Sequence, residues 1–392
     1  MSTEPDGLYQ VGNLQKASAL FIPSLATFPV MVMPFIFGAV IDQLAIDSST
    51  ATYATSAEIA MIAFASLLVS VTLKILPPKA TAVVGVLMVV IGQLLSIHGD
   101  SLDSMLTARA LTGFGEGLCL GIGFATLAQI KGGTNLIAYA SGVSAAFGLL
   151  SFVIVPQLQP VLGTPAIFWF MVAVAGACLP LTLWMPNVKL KKLPITVDIT
   201  ALFNARSFSL FTVSFMASCG SNTLWLYFEQ VGQSVGMTLE DIGHLGVISS
   251  IPTLLVPFVA NFVFSKNKSV LPIGIVCLLS GVASYYYGDS STSWMFSAVI
   301  FAMSFLYIFL LAYVRMFSAH MDATGRTTAA VGGADSLGLV IGPLVAAFTL
   351  NLTNSFEPLS FFGLAIQGAC IIPCILFIAV SASKKSASAK AY

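Results

Sequence analysis

Twelve apolar runs, each long enough to cross a bilayer, follow one another between residues 16 and 381. A spanning helix needs about 20 predominantly apolar residues. The runs occupy 16–41, 56–76, 79–98, 103–130, 135–158, 164–186, 207–231, 240–265, 269–288, 293–320, 327–351 and 356–381. Composition requires the same solvent. Only 8% of the residues are charged and 57% are hydrophobic, against about 25% charged in a soluble domain. The fold class expected is all-α integral membrane, with twelve transmembrane helices.

Charge sorts by side. With twelve spans, alternate connections face opposite sides of the membrane. One set, with both tails, holds Lys16, Lys74, Lys79, Lys131, Lys189, Lys191, Lys192, Arg206, Lys266, Lys268, Arg326, Lys384, Lys385 and Lys390. The other set has no Lys or Arg and carries Asp42, Asp47, Asp100, Asp103, Glu240, Asp241, Asp289 and Glu357. Cytoplasmic connections collect Lys and Arg. Both termini are therefore expected in the cytoplasm, in a multi-pass protein of the cell's inner (plasma) membrane. Two basic residues are left over, Arg109 in the fourth run and Arg315 in the tenth.

The chain also reads as a duplication. "AVAGACLPLTLWM" (173–185) resembles "AIQGACIIPCILF" (365–377), and "SGVSAAFGLLSFVIVP" (141–156) sits opposite "GGADSLGLVIGPLVAA" (332–347) in the same order. Internal repeats of this kind mark transporter folds. The expected division is an N-terminal bundle over 1–186, a basic linker over 187–206, a C-terminal bundle over 207–381 and a tail over 382–392.

"RALTGFGEG" (109–117), an arginine followed by closely spaced glycines, resembles the fourth-helix motif of the major facilitator superfamily. "GRTTAAVGGADSLGLVIGP" (325–343) similarly looks like that family's start of helix eleven. The resemblance covers essentially the whole chain. It implies two pseudo-symmetric six-helix bundles working by alternating access, with no enzymatic activity. The Arg-x6-Glu spacing of Arg109 and Glu116 is similar to that of proton-coupled organic-anion symporters, and to the sphingolipid-exporter-like branch. By that resemblance Arg109 holds an anionic substrate and Glu116 carries the coupled proton. The family's charged loop between helices two and three is absent: "VTLKILPPKATAVVG" (71–85) has two lysines and no acid, and "FSKNKS" (264–269) lacks the motif too.

Charges inside a span are costly and mark functional sites by default. Arg109 and Glu116 are seven residues apart, nearly on one helix face and about 10.5 Å apart along the axis. Glu116 falls near mid-membrane, where coupling sites lie. Arg109 needs an anion: a substrate carboxylate or phosphate, Glu58 just inside the second run, or Glu116 itself. Arg315 has Asp335 as a local partner, or serves as a gate or second anion contact. Glu229, in "NTLWLYFEQ" (222–230), is a further candidate for proton coupling, as is Asp335. In the same stretch Asn222, Trp225 and Tyr227 are candidate substrate contacts, although Trp and Tyr also anchor helices at the interface. The glycines of the fourth run permit close helix contact, and Pro23, Pro29 and Pro34 break the backbone bonding of the first.

The six cysteines lie inside apolar runs and read as buried small hydrophobes. No metal cluster, Walker loop or basic field is present, so no cofactor, metal or nucleic acid is expected. The function expected is proton-coupled transport of a small organic anion by a monomer, its partners being substrate, protons and lipid. The alternative is a proton-coupled exporter of amphipathic drugs or lipids. The charge map makes a direct prediction. A cysteine placed at Ser48 is labelled from outside intact cells by an impermeant thiol reagent, and one at Ser265 is not; labelling of both from one side overturns the map.

Overall fold

The computed structural model describes residues 8–46, 48–73, 75–188, 204–225, 228–353, 355 and 357–389. Among the described residues, each of the twelve apolar runs falls mainly on helix. The first is α1 (Asn13–Thr27) and α2 (Met33–Leu44), joined by a three-ten turn over Phe28–Val30. Then follow α3 (Ser48–Thr72), α4 (Pro78–Ile97), α5 (Leu102–Gln129), α6 (Gly133–Leu162) and α7 (Ala166–Cys178). The second half comprises α8 (Ala205–Trp225), α9 (Phe228–Ser234), α10 (Leu239–Ser250), α11 (Val256–Lys266), α12 (Leu271–Gly288), α13 (Ser293–Met321), α14 (Arg326–Thr353), α15 (Glu357–Ala369) and α16 (Ile371–Ala389). Among the described residues, ten helices are long and apolar enough to cross a membrane, and the bent α1–α2 pair makes an eleventh. In the seventh run, α8 carries a row of polar residues, Ser214, Ser218, Ser221 and Asn222.

Pro29 and Pro34 lie at a break in the first run as expected, whereas Pro23 sits inside the continuous α1. The two parts of that span meet at 59°. Hydroxyls add further bonds to carbonyls of α1 ahead of the break. Thr27 Oγ1 donates to Pro23 O at 3.3 Å, Ser24 Oγ to Leu20 O at 2.7 Å, and Ser144 Oγ of α6 to Ser24 O at 3.1 Å.

Contacts sort the chain into two compact units. One comprises 1–198 with 319–333, the other 199–318 with 334–392. The sequence-based division leaves 319–333 in the second bundle; its hydrogen bonds tie it to the first unit. Ser66 Oγ donates to Ala329 O at 2.9 Å, Ser70 Oγ to Arg326 O at 3.1 Å and Gln129 Nε2 to Thr324 O at 3.1 Å. Residues 189–203 of the expected linker lie outside the described residues.

In the first unit α5 is the enclosed helix, packed against α1, α3, α4 and α6. Its glycines set the distances. Gly113, Gly117 and Gly121 recur every four residues and so share one face. A Cβ on Gly113 would overlap the carbonyl oxygen of Glu58; one on Gly117 would lie 2.5 Å from Ile62 O, and one on Gly121 2.8 Å from Val69 Cβ. Gly115 turns to α4, where a Cβ would lie 2.5 Å from Gly85 O. A Cβ on Gly123 would lie 2.5 Å from the Pro23 ring of α1. The second unit repeats the device: Gly338 and Gly342 of α14 close on the backbone of α8 at Phe215 and Cys219.

The obstacle at Gly113 is backbone, which cannot rotate away. Gly113→Ala should therefore lower stability by about 1–3 kcal/mol, the usual cost of overpacking. Gly176→Ala, where nothing lies within 4 Å of the added carbon, should be neutral or slightly stabilising. Thermal unfolding of the two purified variants checks the contrast.

Candidate functional site

The close approach at Gly113 also positions charge. Glu58 is the α3 residue whose backbone touches Gly113, and Arg109 lies one turn before Gly113 on α5, on the same face. Arg109 Nη2 stands 3.2 Å from Glu58 Oε1, with both side chains fully buried. The guanidinium also lies over the Phe168 ring of α7, 5.2 Å from its centroid. A cation over an aromatic face is attracted by the ring quadrupole. Of the two carboxyls of the chain open to Arg109 from sequence, Glu58 takes the contact.

Glu116 lies two turns further along α5, fourteen residues from Leu102 and thirteen from Gln129. It is fully buried. It interacts through space with both Glu58 and Arg109. Neither of its carboxyl oxygens has a hydrogen-bond partner among the described residues. The cluster thus holds one guanidinium and two carboxyls. With all three ionised it carries one uncompensated negative charge. Water removal makes such a charge expensive, whereas a protonated carboxyl adds none.

The second unit holds a differently built pair. Arg315 Nη2 of α13 donates to Asp335 Oδ2 of α14 at 2.8 Å. The other oxygen, Oδ1, accepts from the Ser218 hydroxyl of α8 and from Tyr307 Oη of α13 at 3.2 Å. Asn222 Nδ2 donates to Tyr307 Oη at 3.2 Å and to Ser218 O at 2.9 Å. Three helices converge on one carboxylate, and both of its oxygens are satisfied.

The structure therefore brings Glu58, Arg109 and Glu116 together in one unit and Asn222, Arg315 and Asp335 together in the other. Trp225 joins neither group. It stacks on Phe228 with centroids 5.2 Å apart, and Phe228 stacks on Phe296 at 5.8 Å. This aromatic column lies against the cluster of Val231, Leu245, Tyr287 and Leu359. Tyr227 and the side chain of Glu229 lie outside the described residues. Ser218, Tyr307 and Phe168 were not singled out from sequence. A signal existed for the first two: Ser218 and Asn222 are four apart on α8, and Tyr307 precedes Arg315 by eight on α13. All six cysteines are buried and unbridged. Among the described residues no group of three or more His, Cys, Asp or Glu is placed to hold a metal ion.

Neither a scan against protein-family models nor a search of curated proteins finds a match. Solved structures do match. The human organic anion transporter MFSD10 (TETRAN) aligns with a TM-score of 0.75 at 13% identity, over 93% of this chain and 99% of that one. A major facilitator superfamily transporter, FucP, in its outward conformation aligns at 0.72 and 12% identity, over 93% and 98%. The E. coli fucose:proton symporter FucP aligns at 0.71 and 11%, over 93% and 97%. At such identities the likeness is one of fold, and the chain has the major facilitator fold.

The buried pair of the first unit yields a directional test. Removing one partner of a buried ion pair strands the other and costs about 3–5 kcal/mol. Glu58→Gln should therefore destabilise the purified protein severely. Replacing both partners together, Glu58→Gln with Arg109→Gln, should recover most of the loss in a thermal melt.

Proposed function

We propose that the chain is a proton-coupled secondary transporter of a small organic anion, working by alternating access, with Glu116 as the proton-carrying group. One observation carries this reading. Glu116 sits at the middle of the enclosed helix α5, fully buried, with both carboxyl oxygens lacking hydrogen-bond partners among the described residues. The nearest cation is already matched by Glu58. A carboxyl in that setting is stable neutral and costly ionised. It changes state only when water or a new charge reaches it, and opening and closing of a carrier supplies such a change. Proton occupancy of Glu116 then differs between the two ends of the cycle, which is what coupling requires.

The Arg109–Glu58 pair has a supporting part in this scheme. It sets the local charge that Glu116 experiences and holds α5 to α3 beside the coupling acid. The neighbouring folds are compatible with each element: one is an organic anion transporter and another moves fucose with a proton. A second arginine buried in the other unit favours an anionic cargo over the drug or lipid exporter reading, in which a lone acid in an apolar cavity would suffice. The surrounding lipid, both cytoplasmic termini and a monomeric working unit complete the proposal.

Glu116→Gln mimics the protonated side chain without its proton. In proteoliposomes it should abolish accumulation driven by a pH gradient while leaving substrate exchange largely intact. Undiminished gradient-driven uptake removes Glu116 from the mechanism.

A further inference from the structure

The last turn of α5 is held by two segments that lie far apart in the chain. On one side is the stretch before α1. The peptide N–H of Tyr9 donates to Gln129 O at 2.9 Å, and that of Lys131 donates to Tyr9 O at 2.9 Å. The two bonds make an isolated parallel bridge between Tyr9 and Ile130. Gln129 ends α5, so its carbonyl is one of the four that a helix leaves without an internal donor. Three residues, Gln10 to Gly12, tether Tyr9 to α1, and α1 itself packs on α5. The segment is a short strap across the end of that helix.

On the other side is the connection between α13 and α14, Asp322 to Gly325. The buried Gln129 holds it. Gln129 Nε2 donates to Ala125 O at 3.0 Å, one turn back, and to Thr324 O at 3.1 Å. Gly325, with φ +78°, lies on the Ala125 peptide, where a Cβ would overlap the carbonyl oxygen. The connection is itself fixed. Asp322 Oδ1 accepts from the Thr324 N–H at 2.9 Å, and Oδ2 from the Thr327 N–H at 3.0 Å. Ser66 and Ser70 of α3 bond the first turn of α14 at Ala329 O and Arg326 O. All of these groups belong to the first unit. Of the three side-chain donors, Gln129 is the one whose own backbone the strap pins.

We propose that the segment at Tyr9 is a strap that controls docking of the α13–α14 connection, acting through Gln129. Paired, it keeps the last turn of α5 from fraying and so presents the Gln129 amide to Thr324 O. Released, it leaves Gln129 O without its donor. A helix end in that state opens at little cost, and the connection loses one of the bonds that dock it. The connection joins α13 to α14, so the strap reaches two long helices through a single side chain. Capture of the segment at Tyr9 therefore loosens the connection without touching it. The strap works independently of the cargo and the coupling group proposed above.

Amide hydrogen exchange of the purified full chain, followed by mass spectrometry, reads both ends of this arrangement. Proline has no N–H, so Tyr9→Pro removes the donor to Gln129, whereas Tyr9→Ala keeps it and removes only the ring. Exchange follows the opening equilibrium of each segment. Tyr9→Pro should speed exchange over 322–330 about fivefold, the worth of one hydrogen bond, and should speed it over 127–131 as well. Tyr9→Ala should leave both segments near wild type. Gln129→Ala should speed exchange over 322–330 and leave the Lys131 amide protected, which places the glutamine between strap and connection. Exchange over α12, in the second unit, should not change in any variant. If Tyr9→Pro does not fold, Lys131→Pro, which removes the strap's other donor, is compared with Lys131→Ala and decides in the same way. Faster exchange over 127–131 with 322–330 unchanged, or equal effects of the proline and alanine variants, overturns the proposal. No cargo or gradient enters this measurement, so its failure leaves the Glu116 reading standing, and failure of the Glu116 experiment leaves this one standing.

Discussion

An arginine inside hydrocarbon must have an anion at contact distance, because its charge is never lost and its burial costs several kcal/mol. In the first unit that anion is Glu58, and the contact exists because two helix backbones touch. Gly113 has no side chain to keep α3 away, so the Glu58 backbone lies directly on α5. One turn earlier, Arg109 meets the Glu58 carboxyl at 3.2 Å. The same glycine face continues through Gly117 and Gly121. Close packing and charge placement are thus one arrangement, and Glu116 inherits its surroundings from both.

The two units handle buried charge in different ways. In the first, an ion pair without neutral donors leaves a second carboxyl with no hydrogen-bond partner among the described residues. In the second, a single carboxylate is fully satisfied by an arginine and two hydroxyls. A bare carboxyl responds to proton and water. A satisfied one resists change until another group takes over its partners. Under the function proposed here, the first arrangement suits a coupling acid.

Much of the architecture was legible from residue order. Among the described residues each of the twelve apolar runs falls mainly on helix, and the first is broken beside Pro29 and Pro34, at 59°. The glycines of the fourth run do permit close contact. The exception in kind is α8, which carries several serines and Asn222; of these, Ser218 and Asn222 serve Asp335 and Tyr307. Trp225 was read as a possible substrate contact or an interface anchor, and it stacks on Phe228. Nothing in its local sequence distinguishes these outcomes, because the partner ring Phe296 comes from α13, far along the chain.

Residue order alone determined the properties that depend on length and sign. Apolar run lengths match the bilayer, and the side-to-side asymmetry of Lys and Arg predicts an orientation for the spans; both are sums over local segments. Only the tertiary structure decided which acid neutralises which arginine. Of the two acids of the chain open to Arg109, Glu58 and Glu116, the contact goes to the one whose backbone a missing Cβ admits. Asp335 acquired Ser218 from α8 and Tyr307 from α13 by the same logic. Hydrogen bonds and ion pairs act over a few ångströms, and in a helical membrane protein that separation is fixed by packing between helices distant in sequence.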